Sequence, residues 1–337
     1  MFRAGARTGL AASVVVAAAS LVLGVLAGGS GPALGRGPLA AAMSSLPESS
    51  TVAGFTDWSY VTQHRSLSDA RERDLVTRSA LIDDAPGLAT ALGVRLRDLQ
   101  WEVYGQGTFG EAVVVRLKRA MPTAERLRRV GYRQNRSTSV WSATGRLGAE
   151  EPIYGHVAVL PKDDVLVLGA RPGAVRLVAS VARGTSESFV QNRAIADATT
   201  ALAGVHSALI QIGALGCEAT EAGRDPDTAR QVEAAQQRFG RVERYSVLGR
   251  GLRDANSGTQ SFLVAMTFPS AAIAAEQARV RGALSHGPFI GRSGDMAEVL
   301  RLRSTASDGR TAVLAYDHPA DAEYLMTGQG PLLPASC

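Results

Sequence analysis

The sequence predicts an α+β protein built from antiparallel sheets with helices on one face. Segments of alternating hydrophobic and polar residues, which are typical of strands, occur in pairs separated by short turns. Helical segments follow these pairs, and two of them open with proline, a residue suited to the first helical turn. The order strand, strand, helix, strand, strand, helix occurs twice, so we also expect an internal duplication of a β-β-α-β-β-α unit.

The first 29 residues have the composition of an export signal. Arg3 and Arg7 precede an uncharged apolar run over residues 10–27, which is the order found in signal peptides. The run is about 18 residues long, near the lower limit for crossing a bilayer core of roughly 30 Å. Two outcomes stay open: cleavage after Gly29 or Ala42 releases the body, whereas no cleavage leaves it anchored outside the cell membrane.

The remainder of the chain divides into a linker and two halves. Residues 30–50 are rich in Gly, Pro, Ala and Ser, so we expect a flexible tether there. Residues 51–204 are predicted to form a helical lead-in and the first α+β half, and residues 205–337 the second half. In the lead-in, Thr56 is expected to cap the first helix, and Gly93 is expected to end the last one.

The first half begins with two strands over residues 100–104 and 112–117. The glycine-rich segment between them, residues 105–110, matches the dinucleotide-binding pattern G-x-G-x-x-G. That pattern requires a helix after the glycines, whereas a strand follows here, so we interpret the segment as a hairpin loop. Pro122 then opens a helix that Gly131 ends. The remaining predicted elements are a hairpin over residues 157–160 and 165–168 and a helix over residues 175–181.

The second half repeats this order after a short connection. The connection is predicted to contain a helix near residues 188–202, a strand over residues 208–212 and a helix that Asp225 caps. The repeated elements are strands over residues 242–248 and 261–268, a helix opened by Pro269, a hairpin over residues 299–302 and 311–316, and a last helix near residues 319–325.

The two cysteines, Cys217 and Cys337, are predicted to form a disulfide. An exported body lies in a compartment where disulfides persist, and such a bond would fix the C-terminal residue to the fold. Pairing between two molecules is the alternative.

The sequence contains no recognisable catalytic or metal-binding motif. Its histidines never have the spacing H-x-x-x-H, and none accompanies a C-x-x-C pair. We therefore expect surface histidines and strand-edge histidines, with no catalytic residue, metal site or cofactor. The histidines concerned are His64, His156, His206, His286 and His318.

Residues 116–136 form the densest charged segment, with a net charge of +7. The simpler interpretation is a solvated face whose acidic partners come from elsewhere in the chain. The alternative is an anion-binding surface for anionic lipid, phosphate-bearing wall polymer or an acidic protein. Its basic residues are Arg116, Lys118, Arg119, Arg126, Arg128, Arg129, Arg133 and Arg136, against Glu125 alone.

Nucleic acid is not an expected partner. Residues 1–43 hold three arginines and no acid, and without them the chain has 33 basic and 31 acidic residues. A nearly neutral body lacks the overall positive charge typical of nucleic-acid-binding proteins.

Two short motifs, Gly-Phe-Thr-Asp-Trp at residues 54–58 and Asp-Leu-Gln-Trp-Glu at residues 98–102, follow the export signal. In these the chain resembles a group of uncharacterised exported actinobacterial proteins. The resemblance implies a membrane-anchored or secreted protein and implies no activity.

The sequence favours a non-enzymatic binding or scaffolding protein of the cell envelope. Two alternatives stay open. One is an envelope hydrolase or transferase whose active site is assembled from distant residues. The other is a binder of a small ligand in a cleft between the two halves.

Overall fold

In the computed structural model of the chain, one antiparallel sheet of twelve strands runs through the protein. The structure describes residues 37–337, apart from residues 73, 119–120, 145–151, 222–224, 255–259, 292 and 319–331. The strands are β1 (Ser50–Thr56), β2 (Leu99–Gly107), β3 (Gly110–Leu117), β4 (Tyr132–Gln134), β5 (Val140–Ala143), β6 (His156–Leu160), β7 (Val165–Gly169), β8 (Ser207–Ile212), β9 (Val247–Asp254), β10 (Gln260–Thr267), β11 (Arg301–Asp308) and β12 (Thr311–His318).

The described α-helices lie between these strands or before the first of them. They are α1 (Pro38–Ser44), α2 (Trp58–His64), α3 (Leu67–Glu72), α4 (Ala85–Leu92), α5 (Ala124–Arg129), α6 (Pro172–Ala182), α7 (Arg193–Ala201), α8 (Gly213–Thr220), α9 (Pro226–Phe239), α10 (Ala271–Ala283) and α11 (Met296–Val299). Mixed helices and antiparallel strands confirm the α+β class.

The two predicted halves share a single sheet. The strand order is β11-β12-β10-β9-β8-β1-β2-β3-β7-β6-β5-β4, and β1 pairs with β2 on one side and with β8 on the other. Gly54 of β1, for example, lies between Tyr104 of β2 and Leu209 of β8. On either side of the β1–β8 pair the chain follows the same path, β1-β2-β3-β7-β6 and β8-β9-β10-β12-β11, and β4 and β5 extend the first group.

Helices cover both faces of the sheet, so the prediction of helices on one face was wrong. Helices α1, α6 and α7 pack against the face that carries Ala112 and Val114. Helices α2, α4, α5 and α10 pack against the opposite face, which carries Val113 and Val115. The physical reason is visible in β3, where residues 112–115 are all buried, and in β7, where every residue is buried. Strands that are apolar on both faces require cover on both sides.

Residues 37–50 are folded, which corrects the prediction of a flexible tether in this part of the chain. Pro38 opens α1, whose Leu39, Ala42 and Met43 are buried in the core shared with α6 and α7. Leu46 follows and packs against the backbone of Gly105. Small residues that have the composition of a linker form a closely packed helix here because they let α1 approach the sheet.

Several predicted element boundaries match the structure closely. Strands β2 and β3 form a hairpin across the glycine-rich segment, and Gly110 has a φ of +100°. The side chain of Asp225 accepts hydrogen bonds from the first turn of α9, as predicted for a capping residue. In the lead-in, Asp57 caps α2 in place of Thr56, which belongs to β1. The helix expected near residues 319–325 lies outside the described residues.

The predicted disulfide is present. Cys217 lies in α8, and its Sγ is bonded to Sγ of Cys337, with 5.2 Å between the Cα atoms and 120 residues between them in sequence. Among the residues that the structure describes, no helix is long and apolar enough to cross a membrane. The apolar run over residues 10–27 lies outside that part of the chain.

Candidate functional site

The structure divides the basic segment into inward-facing and exposed side chains. Arg126 is used within the fold: its Nη2 donates to the carbonyl oxygens of Ala89 at 3.1 Å and Thr90 at 3.4 Å, in the last turn of α4. Lys118 donates from Nζ to Oγ1 of Thr62 at 3.1 Å. Arg116 is half-buried on β3, and Arg119 lies outside the described residues.

Four arginines at one end of the sheet remain exposed, and we call them the exposed arginine patch: Arg128, Arg129, Arg133 and Arg136. Arg129 forms an ion pair with Glu125 at 2.6 Å on the surface of α5. The guanidinium of Arg128 lies 5.5 Å from the centre of the Trp141 ring, an orientation that favours a cation–π contact. Within the described residues, Glu125 is the only carboxylate in ion-pair contact with the patch.

The patch surrounds the edge strand β4. Trp141, beneath Arg128, belongs to the core on the α5 side of the sheet. Arg133 lies opposite Ser142, the next residue along β5, so it projects from the other face of the sheet because successive strand residues alternate. Arg136 follows in the turn between β4 and β5. The edge therefore presents positive charge on both faces.

A row of three polar side chains crosses this end of the sheet. Arg133 of β4 is opposite Ser142 of β5, and Ser142 is opposite His156 of β6, which places all three on one face. Oγ of Ser142 lies 2.8 Å from Nδ1 of His156. Burial lowers the pKa of His156, so the imidazole is neutral at pH 7. The sequence predicts His156 as a strand-edge histidine but carries no signal for its contact with Ser142.

This row offers hydrogen-bond donors to an anion and only part of a nucleophilic site. The Ser142 hydroxyl and the Arg133 guanidinium both donate, which suits a phosphate or carboxylate oxygen. A neutral imidazole beside a hydroxyl is also the first requirement of serine catalysis. However, the hydroxyl contacts Nδ1, the nitrogen that usually faces the orienting carboxylate. No described carboxylate contacts His156.

A small cavity lies where the two halves join. It has a volume of about 80 Å³, and its lining includes Asp57, Thr200, His206 and residues at the start of α1. Oδ2 of Asp57 lies 3.8 Å from Nδ1 of His206, and the ring of Tyr60 stacks on His206 with 3.4 Å between ring centres. Pockets for metabolites usually measure roughly 300–1,000 Å³, so this cavity is smaller than such pockets.

Glu102 is a fully buried carboxyl group that serves the fold. Its Oε2 accepts from Nε1 of Trp58 at 2.8 Å and from the Ser79 hydroxyl at 2.7 Å, and its Oε1 accepts from the amide of Ala80 at 2.6 Å. Burial raises the pKa of Glu102, and these hydrogen bonds oppose that rise. All of the donors belong to α2 and the loop after α3, so the carboxyl group attaches the lead-in to β2.

Arg281 is a second buried charge with a structural role. Its guanidinium donates to the carbonyl oxygens of Pro334, Ser336 and Glu243 at 2.7–2.9 Å and to Oε1 of Gln277 at 3.0 Å. Burial lowers the pKa of Arg281 to about 10, which leaves it charged at pH 7. Together with the disulfide, it fixes the last residues of the chain between α8 and α10.

No protein-family model, curated protein or solved structure matches the chain. Among the described residues, no group of three or more His, Cys, Asp or Glu side chains could hold a metal ion.

Proposed function

We propose that the protein is an extracytoplasmic, non-enzymatic binding protein of the cell envelope. We propose further that it holds a phosphate-bearing polyanion at the β4 edge of its sheet. The observation that carries the proposal is the exposed arginine patch, four guanidinium groups within nine residues with one acidic partner in contact. Lipid head groups and wall polymers share the phosphate chemistry that such groups bind.

The position of the patch supports binding to an extended or flat anionic surface. The arginines project from α5, from β4 and from the following turn, and none of them lines a pocket formed by the described residues. Contacts of this kind are mainly electrostatic, with about 1 kcal/mol for each basic residue close to an anionic membrane. A phosphate bound by Arg133 would lie beside Ser142, whose hydroxyl would donate a further hydrogen bond to it.

The disulfide supports the proposed location. A bond between Cys217 and Cys337 persists in an oxidising compartment, and the export signal predicted for residues 1–29 leads there. If the leader stays attached, the apolar run over residues 10–27 anchors the body to the membrane that supplies one source of phosphate.

The test compares a triple variant, Arg128→Ser, Arg133→Ser and Arg136→Ser, with the unchanged full chain. Affinity is measured for phosphatidylcholine vesicles with and without phosphatidylglycerol. The ratio of the two affinities removes the contribution of the apolar leader, because the leader contributes to both. We expect the preference for anionic vesicles to fall about 100-fold, from three contacts of about 1 kcal/mol each. Inorganic polyphosphate is the second probe and represents a wall polymer.

The control replaces three exposed arginines outside the patch, Arg176, Arg183 and Arg193, with serine. It removes the same charge and should retain most of the preference. Loss of vesicle binding alone identifies lipid as the source of phosphate, and loss of polyphosphate binding alone identifies the polymer. A triple variant that binds both probes as well as the control variant does would reject the proposal.

The contact between Ser142 and His156 favours one second candidate, a serine hydrolase with a dispersed site. In that case Ser142 would be the nucleophile, His156 the base, and Arg133 the group that stabilises the developing oxyanion. A fluorophosphonate probe should then label Ser142 in the full chain and fail to label Ser142→Ala or His156→Ala. Absence of labelling in the unchanged protein would remove this candidate.

We also propose that the two halves arose by duplication. Support comes from the matching strand orders β1-β2-β3-β7-β6 and β8-β9-β10-β12-β11 and from the proline that opens or precedes corresponding helices. A related protein with only one such unit would support duplication if two copies of it paired through the strand equivalent to β1. Related chains whose halves differ in strand order would contradict it.

A further inference from the structure

The two edges of the sheet differ in length and exposure. Strand β4 has three residues, and short edge strands are a common protection against unwanted pairing. Strand β11 has eight residues, seven of them exposed, and its only partner among the described strands is β12. Ser304, Thr305, Ala306 and Ser307 have small uncharged side chains. This edge therefore leaves a row of backbone N–H and C=O groups accessible for pairing.

A bulge in β11 places its unpaired charges on one face. The pairing with β12 shifts between Leu302 and Ser304, so Arg303 is an extra residue. Arg301 lies opposite Asp317, and Ser304 lies opposite Ala315. Because Asp317 and Ala315 are two residues apart, Arg301 and Ser304 share a face. Ala306 and Asp308 continue along that face.

The basic and acidic ends of this face have no ion-pair partners in the described chain. Arg303 donates to Asp317 at 2.5 Å, and so the charge of Asp317 is already used. Arg301 and Asp308 are exposed and form no ion pair with any described residue. The strand thus has a free positive charge at its start and a free negative charge at its end.

We propose that β11 pairs antiparallel with β11 of a second copy of this chain. A two-fold axis normal to the sheet relates the two copies. Because paired residues of an antiparallel ladder lie on the same face of the sheet, this axis must lie at a residue position and not between two residues. With the axis at Thr305, Ser304 faces Ala306 of the second copy. Because Arg303 is the extra residue of the bulge, the next residue on that face after Ser304 is Arg301, which then lies opposite Asp308 of the second copy. The two-fold symmetry forms this ion pair twice.

Charge complementarity selects a second copy over an unrelated peptide. The bulge supplies the spacing that aligns the two charges, which a regular strand would place on opposite faces. Stable complexes usually bury roughly 1,200–2,000 Å², and a single eight-residue ladder is small beside that. We therefore expect a weak dimer whose affinity depends on the two ion pairs.

The test exchanges the charges. Arg301→Glu and Asp308→Arg each place like charges opposite each other, so each variant alone should dimerise at least about tenfold more weakly than the unchanged full chain. A mixture of the two variants restores both ion pairs in a heterodimer. The double variant restores them in a homodimer. Sedimentation equilibrium of the full chain in a density-matched nonionic detergent measures each dissociation constant.

Arg133→Glu is the matched control for Arg301→Glu, since it makes the same charge change on the opposite edge strand and should leave dimerisation unchanged. Thr305→Cys tests the register, because the two copies would place this cysteine against itself and form a covalent dimer on mild oxidation. Ala306→Cys should not, since it faces Ser304. A monomer at all accessible concentrations, or a mixture that associates no better than its components, would overturn the proposal.

Discussion

The guanidinium of Arg281 donates hydrogen bonds to four oxygen atoms and holds the C-terminal end of the chain in place. Three of these are backbone carbonyl groups and the fourth is the amide oxygen of Gln277, so none of the four acceptors carries a formal charge. The rings of Tyr245 and Phe268 lie 5.7 and 5.6 Å from the guanidinium carbon and add cation–π contacts. Removing the side chain would leave several buried oxygens without donors, which is among the costliest changes in a protein core.

Arg281→Met is therefore expected to lower the free energy of unfolding by at least about 3 kcal/mol. Urea unfolding of the full chain, with the disulfide intact, measures the change. Arg279→Met is the control on the same helix: Arg279 is exposed and pairs with Glu276 on the surface, so the midpoint should hardly move. Equal midpoints for the two variants would refute the role of Arg281.

The basic residues of the candidate site could be counted from the sequence, but their separate roles could not. Arg126 and Arg128 are two residues apart on α5. One donates to the end of α4, and the other contacts Trp141 at the surface. The direction of each side chain depends on which helix and strand pack nearby, and local spacing does not contain that information. Ser142 and His156 likewise meet only because β5 pairs with β6.

Among the elements, hairpins with clear turn signals were predictable. Strand β2 alternates, β3 is a continuous apolar run, and the two enclose a glycine-rich turn, while β11 and β12 enclose the turn residues Gly309 and Arg310. Strand β1 was missed because its residues, Ser-Thr-Val-Ala-Gly-Phe-Thr, are small and follow a linker-like segment. Its place in the sheet comes from pairing with β2 and β8, which are distant in sequence.

The burial of helix α1 bears on where the leader is cleaved. Cleavage after Ala42 would remove Leu39 and Ala42 from the core and would cut within a helix whose residue 42 is fully buried. We therefore expect the exported protein either to begin at Ser30 or to keep its leader. Intact mass of protein recovered from the envelope distinguishes these products.

The same mass measurement examines the disulfide. Alkylation before reduction should add nothing, and alkylation after reduction should modify both Cys217 and Cys337. A product that begins at Met43 would contradict the expected processing of the leader. Thiols that react before reduction would contradict the disulfide.

At the scale of the whole molecule, β1 and β8 join the halves and the disulfide holds the terminus. The covalent loop of 120 residues could stabilise the fold by roughly 4–5 kcal/mol in the chain-entropy model, less any native strain. The sequence predicted antiparallel sheets in two halves, and the structure joins the halves edge to edge in one sheet. Edge pairing between distant strands depends on long-range contacts, which composition and periodicity do not encode.

The proposed binding of a phosphate-bearing polyanion by the exposed arginine patch depends on electrostatic attraction at a solvated surface. The most direct measurement is the affinity of the full chain for phosphatidylglycerol-containing vesicles, relative to phosphatidylcholine vesicles, between roughly 0.05 and 0.5 M salt. The screening distance shortens about threefold over this range, so we expect a loss of at least about tenfold in that preference. A preference that is absent at low salt, or unchanged at high salt, would contradict it.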